Sequence, residues 1–294
     1  MIVVFGSGDD SCIQLVVDAL LELGIEHRLI DQRLLDHEDL LLEVGPSAVV
    51  CVARIADEVI DLGEAQAVYA RPLSVGDTSR SRTFSAAFTE WLDLADTLVV
   101  NRPLSMRSNS SKPYQCQLIA DAGFAVPDTL VTNDPDAVRD FVERHGRVIF
   151  KSTSGIRSIV RELDEQRLAC LDGVRSLPTQ FQAYVEGVDT RVHVVGDSVF
   201  ATEMATDAID YRYANREGEA ISHLSVELDG ETAARCVALS ARLELPLCGI
   251  DLRRCPDGSY VCFEVNPMPA FSYYETNTGQ PIARTLAEFL SGKA

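Results

Sequence analysis

Three oxygen-bearing side chains near the C-terminus could hold a metal ion. Glu264 and Asn266 lie two positions apart in a predicted strand, so both side chains leave the same face. Asp251 lies in the preceding predicted strand, where it can face them. Carboxylate and amide oxygens suit magnesium, and facing carboxylates would raise each other's pKa unless a cation lay between them. The pattern predicts a magnesium site, with two solvated carboxylates on an exposed sheet face as the alternative.

Two lysines could bind phosphate groups. Lys151 ends a predicted strand and precedes the polar loop 152–158, which contains Ser154 and Gly155. A point positive charge beside backbone and hydroxyl donors can hold a polyphosphate. Lys112 opens a predicted helix, and by itself it is better interpreted as a surface lysine.

The segment 180–191 could bind a nucleoside. It begins as an apolar strand and turns at Gly187, next to Glu186 and Asp189. We expect an edge strand, whose free backbone groups and apolar side chains would suit adenine. A carboxylate at its end could accept a hydrogen bond from a ribose hydroxyl. The alternative is an ordinary strand and turn.

Two further segments could contact a substrate. The motif Asp210-Tyr-Arg212 follows a predicted hairpin, and its arginine could stabilise phosphates or a developing oxyanion. The aromatic stretch 271–274, which includes Tyr273, comes just after the predicted metal ligands. It could touch a substrate or pack beneath the last helix.

The elements that must position these residues fall into three regions. Residues 1–105 alternate between strands and helices, which predicts a small parallel sheet covered by helices. We expect a helix capped by Ser11 after the first strand, and a further strand at 48–52. The pair Gly6-Ser-Gly8 lacks the third glycine of a dinucleotide fingerprint, so nicotinamide binding is disfavoured.

The rest of the chain changes character after residue 105. We expect a helix that Ser110 caps, then strands and a helix up to residue 185. From residue 186 the pattern is mostly antiparallel and ends in a helix over 279–290. The predicted domains are therefore 1–105, 106–185 and 186–294, in a mixed α/β and α+β fold.

Composition narrows the functional class. The 294 residues include 26 Lys and Arg against 45 Asp and Glu, a net charge of −19 that should repel polyanions. Nucleic acids and anionic membranes are therefore disfavoured as partners. No apolar run approaches the roughly 20 residues of a membrane helix, and no signal peptide is evident, which predicts a cytoplasmic protein. The eight cysteines form no CxxC motif, so reduced core thiols are favoured over zinc ligands.

The order of these motifs resembles that of the ATP-grasp ligase superfamily over about residues 106–290. The sequence is most similar to the microviridin-type peptide cyclases, or graspetide synthetases, and more distantly to the ribosomal-protein glutamate ligases. The stretches 69–72, 127–135 and 264–271 carry the closer resemblance. One departure is Pro269, because such cyclases usually have glycine at this place in an Asn-Pro-x-Gly motif.

The resemblance implies an ATP-grasp fold preceded by a pre-ATP-grasp domain, with ATP and two magnesium ions as cofactors. Asp251, Glu264 and Asn266 would bind the metal, Arg191 and Arg212 would be catalytic, and Asp210, Arg212 and Tyr273 would meet the substrate. The implied nucleotide-binding residues are Lys112, Lys151, Ser154, Gly155, Gln182, Ala183, Tyr184, Val185, Glu186 and Asp189.

The resemblance also implies a reaction. A carboxylate would take the γ-phosphoryl group of ATP, and an amine or hydroxyl would then displace phosphate from the acyl phosphate. The expected substrate is a ribosomal precursor peptide that gains side-chain amide or ester crosslinks, acted on by a possible homodimer. The alternatives are a ligase that joins a free amino acid or small acid to an amine, and a nucleotide-binding protein without ligase activity.

Overall fold

The computed structural model describes residues 1–73, 78–152, 160–205 and 222–293. The strands in these ranges form four sheets. Within them, no helix is long and apolar enough to cross a membrane. The predicted mixed α/β fold is confirmed, and it includes the parallel sheet at the N-terminus.

The first sheet is parallel, with strand order β2-β1-β6-β7. Its strands are β1 (Ile2–Gly6), β2 (His27–Asp31), β6 (Ala67–Arg71) and β7 (Leu98–Val100). Helix α1 (Ser11–Glu22) packs on one face and helix α2 (Ser79–Leu94) on the other. Both faces are buried because alternate β1 residues point to opposite sides, with Val4 towards α1 and Phe5 towards α2.

Two predictions for the N-terminal region are wrong. Asp10, not Ser11, caps α1, because its Oδ1 accepts hydrogen bonds from the backbone N–H groups of Cys12 and Ile13. Residues 48–52 belong to a separate antiparallel sheet of β3 (Asp39–Val44), β4 (Val49–Ile55) and β5 (Glu58–Asp61). Only short turns join these strands, whereas parallel neighbours need a crossover of a dozen or more residues.

The third sheet has strand order β10-β9-β11-β8. Its strands are β8 (Thr129–Thr132), β9 (Val148–Ser152), β10 (Arg161–Glu162) and β11 (Thr179–Ala183). Helix α4 (Pro135–His145) covers one face with Val138 and Phe141, and helix α5 (Glu165–Leu168) follows β10. Strand β11 pairs with β8 and β9 on its two sides, so the prediction of an edge strand was wrong.

Helix α3 (Lys112–Asp121) leads into this region. Residues Ser105–Ser110 form a 3₁₀ helix, so the predicted cap at Ser110 was wrong and α3 begins two residues later. Lys112 is therefore the first residue of α3.

The fourth sheet has strand order β14-β13-β12-β15-β16. Its strands are β12 (Val188–Val195), β13 (Ser198–Ala205), β14 (Ser222–Val226), β15 (Leu247–Arg254) and β16 (Tyr260–Asn266). Helix α6 (Gly230–Arg242) covers one face, where Cys236 and Leu239 pack on apolar residues of β12 and β15. The opposite face carries the charged residues of the candidate site.

The predicted last helix corresponds to the second of two helices, α7 (Phe271–Thr278) and α8 (Ile282–Leu290). Gly279 separates them with a φ of +72°, a left-handed conformation that glycine adopts without strain. Helix α8 packs against α1 in the core beneath the first sheet. The predicted helix boundary at Gly279 is therefore wrong by three residues, and an additional helix precedes it.

The N-terminal region holds the loop that follows β16. Asn101 is buried, and its Nδ2 donates hydrogen bonds to the carbonyl oxygens of Leu247 and Pro267, both at 2.6 Å. Its Oδ1 accepts a hydrogen bond from the Leu247 N–H. Arg71 donates from Nη1 to the Pro269 carbonyl at 3.0 Å. These contacts fix the backbone immediately after Glu264 and Asn266.

We predict that Asn101→Ala lowers the free energy of unfolding by about 2–4 kcal/mol, because it leaves several buried backbone groups without partners. Urea unfolding followed by circular dichroism measures this change. Asn133→Ala is the matched control, since Asn133 is exposed. Equal losses in the two variants would contradict the bridging role of Asn101.

Candidate active site

A cleft lies between the third and fourth sheets. Residues of β9 and β11 that are opposite in register, such as Lys151 with Gln180 and Ile149 with Gln182, share one face of the third sheet. Phe150 and its partner in β11 share the other face, beneath α4. The cleft is lined from both sheets, by Ile149, Lys151, Val160, Gln182, Tyr184, Asp189, Thr190, Met204, Asp251, Leu252, Arg253, Phe263 and Glu264.

The two predicted metal-binding carboxylates face each other in this cleft. Asp251 in β15 lies opposite Glu264 in β16. Arg191 donates from Nη1 to Oδ1 of Asp251 at 2.6 Å, and Lys112 donates from Nζ to Oε1 of Glu264 at 2.5 Å. The amide of Asn266 accepts a hydrogen bond from the Met268 N–H through Oδ1, at 2.9 Å. Each carboxylate is thus paired with a cation from another element.

These residues fit a magnesium ion that is bound together with phosphates. Each carboxylate uses one oxygen for its cation, which leaves Oδ2 of Asp251 and Oε2 of Glu264 for a metal. The described part of the chain has no group of three or more His, Cys, Asp or Glu residues that could hold a metal. Magnesium commonly takes one or two carboxylates plus phosphate oxygens and water, so two facing carboxylates are a suitable set.

A β-bulge shapes the cleft beside the carboxylates. The register of β15 and β16 shifts between Asp251 and Leu252, so Phe263 is an extra residue on β16. Phe263 lines the cleft next to Glu264 instead of continuing the apolar face of the sheet. The sequence alone does not locate this bulge, because the two-residue alternation of a strand gives no sign of an extra residue.

Arg253 fixes the predicted nucleoside segment. Its Nη1 donates to the Val185 carbonyl at 2.8 Å, and its Nε and Nη2 donate to Oδ1 of Asp189 at 2.9 and 2.6 Å. Gly187 has a φ of +146°, and a Cβ there would lie 2.2 Å from the Arg254 carbonyl oxygen. The segment after β11 is therefore held closely against β15.

The remaining predicted nucleotide residues in this segment differ in exposure. Gln182 is buried and donates from Nε2 to the Thr129 hydroxyl, Ala183 ends β11, and Glu186 is exposed. The guanidinium of Arg147 stacks over the Tyr184 ring, with Cζ 3.8 Å from the centroid. Arg147 and Arg253 were both missed from the sequence, where isolated arginines next to strands carry no distinctive signal.

The aromatic stretch after β16 is split between core and surface. Tyr274 is buried and contacts the ring of His193, with centroids 4.8 Å apart. Tyr273 is 42% exposed and lies against the ring of His223. Tyr273 is therefore exposed on α7, and it is not among the residues that line the cleft. Ser154, Gly155, Asp210 and Arg212 lie outside the residues that the structure describes.

His193 is enclosed beside Arg191. It is fully buried, and burial together with the nearby Arg191 charge holds the pKa of its imidazole well below the usual value. Its Nε2 accepts a hydrogen bond from Nε of Arg191 at 3.4 Å, so the neutral ring carries its hydrogen on Nδ1. Among the described residues, Nδ1 has no hydrogen-bond partner.

A family model for the RimK-like ATP-grasp domain matches residues 109–290. This chain belongs to that family. The match spans both lysines, the segment after β11 and the facing carboxylates. The chain is therefore an ATP-grasp ligase, an enzyme that forms bonds with ATP, as the sequence predicted.

Several individual proteins are similar to this ATP-grasp ligase in sequence or in structure. A probable alpha-L-glutamate ligase of Shewanella loihica is 24% identical over 221 residues, which cover 72% of this chain and 73% of that protein. The ATP-grasp ligase PsnB, solved with a minimal precursor, is 28% identical with a TM-score of 0.82 and covers 99% and 98% of the two chains. The macrocyclase MdnC from Microcystis aeruginosa shares the fold at 20% identity, with a TM-score of 0.82 and full coverage of both chains.

We predict that His193 makes this ligase less stable in acid. The unfolded chain takes up a proton at His193 as the pH falls below about 6.5, whereas the folded protein does not, so stability drops by about 1 kcal/mol per pH unit there. Urea unfolding between pH 5 and 8 measures the slope, which His193→Gln should reduce. The exposed His37 provides the control, His37→Gln. Equal slopes in wild type and His193→Gln would contradict the buried neutral imidazole.

Proposed function

We propose that this ATP-grasp ligase forms side-chain amide or ester bonds within a ribosomal precursor peptide. The observation that supports the proposal is the similarity to PsnB, which extends over nearly the whole of both chains, including the region before the ATP-grasp domain. PsnB was solved with its minimal precursor, and also with that precursor, Mg and ADP. A shared N-terminal region fits a shared substrate class.

The nucleotide in this proposal lies in the cleft between the third and fourth sheets. Lys112 and Lys151 bind its phosphates, and residues 182–185 line the adenine, with Glu186 or Asp189 at the ribose. Arg253 supports this segment by holding Val185 and Asp189 in place. Ser154 and Gly155 belong to the loop that we propose covers the phosphates.

Asp251, Glu264 and Asn266 would hold magnesium, and two ions are proposed. The metal supplies charge neutralisation for the phosphates when it is bound. Arg191 and Arg212 then face the phosphoryl group being transferred, since Arg191 is already fixed beside Asp251. Asp210, Arg212 and Tyr273 are proposed to contact the peptide.

The reaction proceeds in two steps. A carboxylate oxygen of the peptide bonds to the γ-phosphorus, the bond to ADP breaks, and an acyl phosphate forms. An amine or hydroxyl of the same peptide then attacks the carbonyl carbon, the bond to the phosphate oxygen breaks, and the proton of the nucleophile passes to the released inorganic phosphate or to water. Positioned cations stabilise both steps, because negative charge develops on phosphoryl oxygens in the first step and on the carbonyl oxygen and the departing phosphate in the second.

A second candidate is a ligase that adds a free amino acid to an amine. It is favoured by the curated relatives named probable alpha-L-glutamate ligases, although their identity to this chain is about a quarter over 72% of its length. The third alternative, nucleotide binding without ligation, finds no support in a family of ligases. The predicted domain boundaries and a homodimer stay predictions.

We predict that the wild-type protein, incubated with MgATP and a precursor peptide encoded beside its gene, removes one water mass per new bond from the peptide. Mass spectrometry measures the product, and a reaction without ATP should leave the peptide unchanged. Glu264→Gln should abolish the mass loss, because it removes a charge that holds the metal. Glu231→Gln is the matched control, since Glu231 is an exposed helical residue.

Other outcomes of this experiment separate the candidates. A peptide that stays unmodified while a free amino acid stimulates ADP formation would replace the peptide proposal with the amino-acid ligase. Full activity of Glu264→Gln would instead contradict the assignment of the metal site.

A further inference from the structure

Arg191 is enclosed to an unusual degree for an arginine. Its side chain is only 6% exposed, although the carboxylate it contacts, Asp251, is 31% exposed. It extends from β12 across the face of the fourth sheet towards β15. A long flexible cation held in this way loses little further freedom when it binds an anion.

Gly249 provides the space in which the guanidinium lies. A Cβ at Gly249 would fall 2.0 Å from Nη2, 2.5 Å from Cζ and 2.8 Å from Nε of Arg191. The guanidinium therefore lies directly over the Gly249 backbone, and any larger residue would displace it. The requirement is for space rather than for backbone conformation, because the φ of Gly249 is not in the left-handed region.

His193 sets the orientation of the same group. It lies opposite Gly249 in register, and its Nε2 accepts the hydrogen bond from Nε of Arg191. Asp251 accepts a hydrogen bond from Nη1 of the guanidinium, and the centroid of the Tyr274 ring lies 5.8 Å from Cζ. Contacts at Nε and Nη1 fix the plane of the guanidinium.

We propose that Gly249 and His193 are positioning residues, which form a slot that holds Arg191 ready to bind the terminal phosphoryl group of the nucleotide. This inference rests on the proposed function, which puts MgATP beside Asp251. The Arg191 side chain is then ordered before the nucleotide binds, so nucleotide binding does not bear the entropic cost of ordering it.

Calorimetric titration of the full-length protein with Mg·AMPPNP and with Mg·ADP tests the slot. Arg191→Ala and Gly249→Ala should each lower affinity for Mg·AMPPNP about tenfold, and affinity for Mg·ADP by less than about twofold. His193→Phe, which keeps a ring but removes the acceptor, should act in the same direction. His193→Gln, whose Oε1 can accept near the position of Nε2, should restore most of the affinity.

Gly230→Ala is the matched control for glycine replacement. Gly230 is the first residue of α6, and an added Cβ there meets nothing within 4 Å. It should bind both nucleotides as the wild type does. Thermal unfolding of every variant checks that a loss of affinity does not come from a loss of fold.

The double variant Arg191→Ala with Gly249→Ala shows whether Gly249 acts by leaving space for Arg191 or by supporting the fold independently of Arg191. With the guanidinium absent, the added Cβ has no clash with it, so the double variant should bind Mg·AMPPNP as Arg191→Ala alone does. A further loss in the double variant would overturn the slot. Unchanged Mg·AMPPNP binding by Arg191→Ala would overturn the phosphoryl assignment.

The wild-type titration tests the proposed function separately. Binding of both nucleotides by the wild type supports the nucleotide cleft, whatever the variants show. No binding of either nucleotide would overturn the cleft assignment itself, and with it the proposed role of Arg191.

Discussion

The pairing of two facing carboxylates with two cations is the interaction on which the rest of the site depends. Asp251 and Glu264 are opposite neighbours on adjacent strands, and both are partly shielded from water. Two such charges would repel each other strongly without compensation. Arg191 from β12 and Lys112 from α3 supply the compensating positive charges. The ion pair of Lys112 with Glu264 therefore also connects α3, the helix that precedes the third sheet, to the fourth sheet.

This pairing also gives a physical account of how the site could accept its ligands. In the proposed function, the second oxygens of Asp251 and Glu264 would meet a divalent metal, while Lys112 and Arg191 would meet phosphate oxygens without leaving their carboxylate partners. Binding of these ligands would need little further desolvation of the four side chains, because all four are already in ion pairs in a partly buried cleft.

The sequence was sufficient for features that depend on local periodicity. The shared face of Glu264 and Asn266 follows from the two-residue repeat of strands, and the predicted hairpin brings Asp251 opposite Glu264. The start of α4 at Pro135 and its end before Gly146 also agree with the general preference for proline in the first turn of a helix and for glycine after its last. The motif order was also enough to identify the ATP-grasp family, because the family model matches the same region.

The features that the sequence could not predict depend on contacts between distant segments. The bulge at Phe263 appears only when β15 and β16 are paired, and strand β11 is internal only because β8 and β9 return to both its sides. Arg253 became part of the site by reaching Val185 and Asp189, which lie over sixty residues earlier. The periodicity of the sequence does not predict such roles, because they are set by tertiary packing.

The strong negative charge of the chain explains why these distant contacts matter. A net charge of −19 disfavours the approach of a polyphosphate, and screening limits any attraction from the cleft cations to a Debye length of about 8 Å in physiological salt. The favourable free energy of nucleotide binding must therefore come from direct contacts with cations that are already in place. Arg191 over Gly249 and Arg253 against the segment after β11 are held in this way, by groups from β12 and β15. The accuracy of that placement, rather than the long-range field, is what allows so acidic a protein to bind a nucleotide.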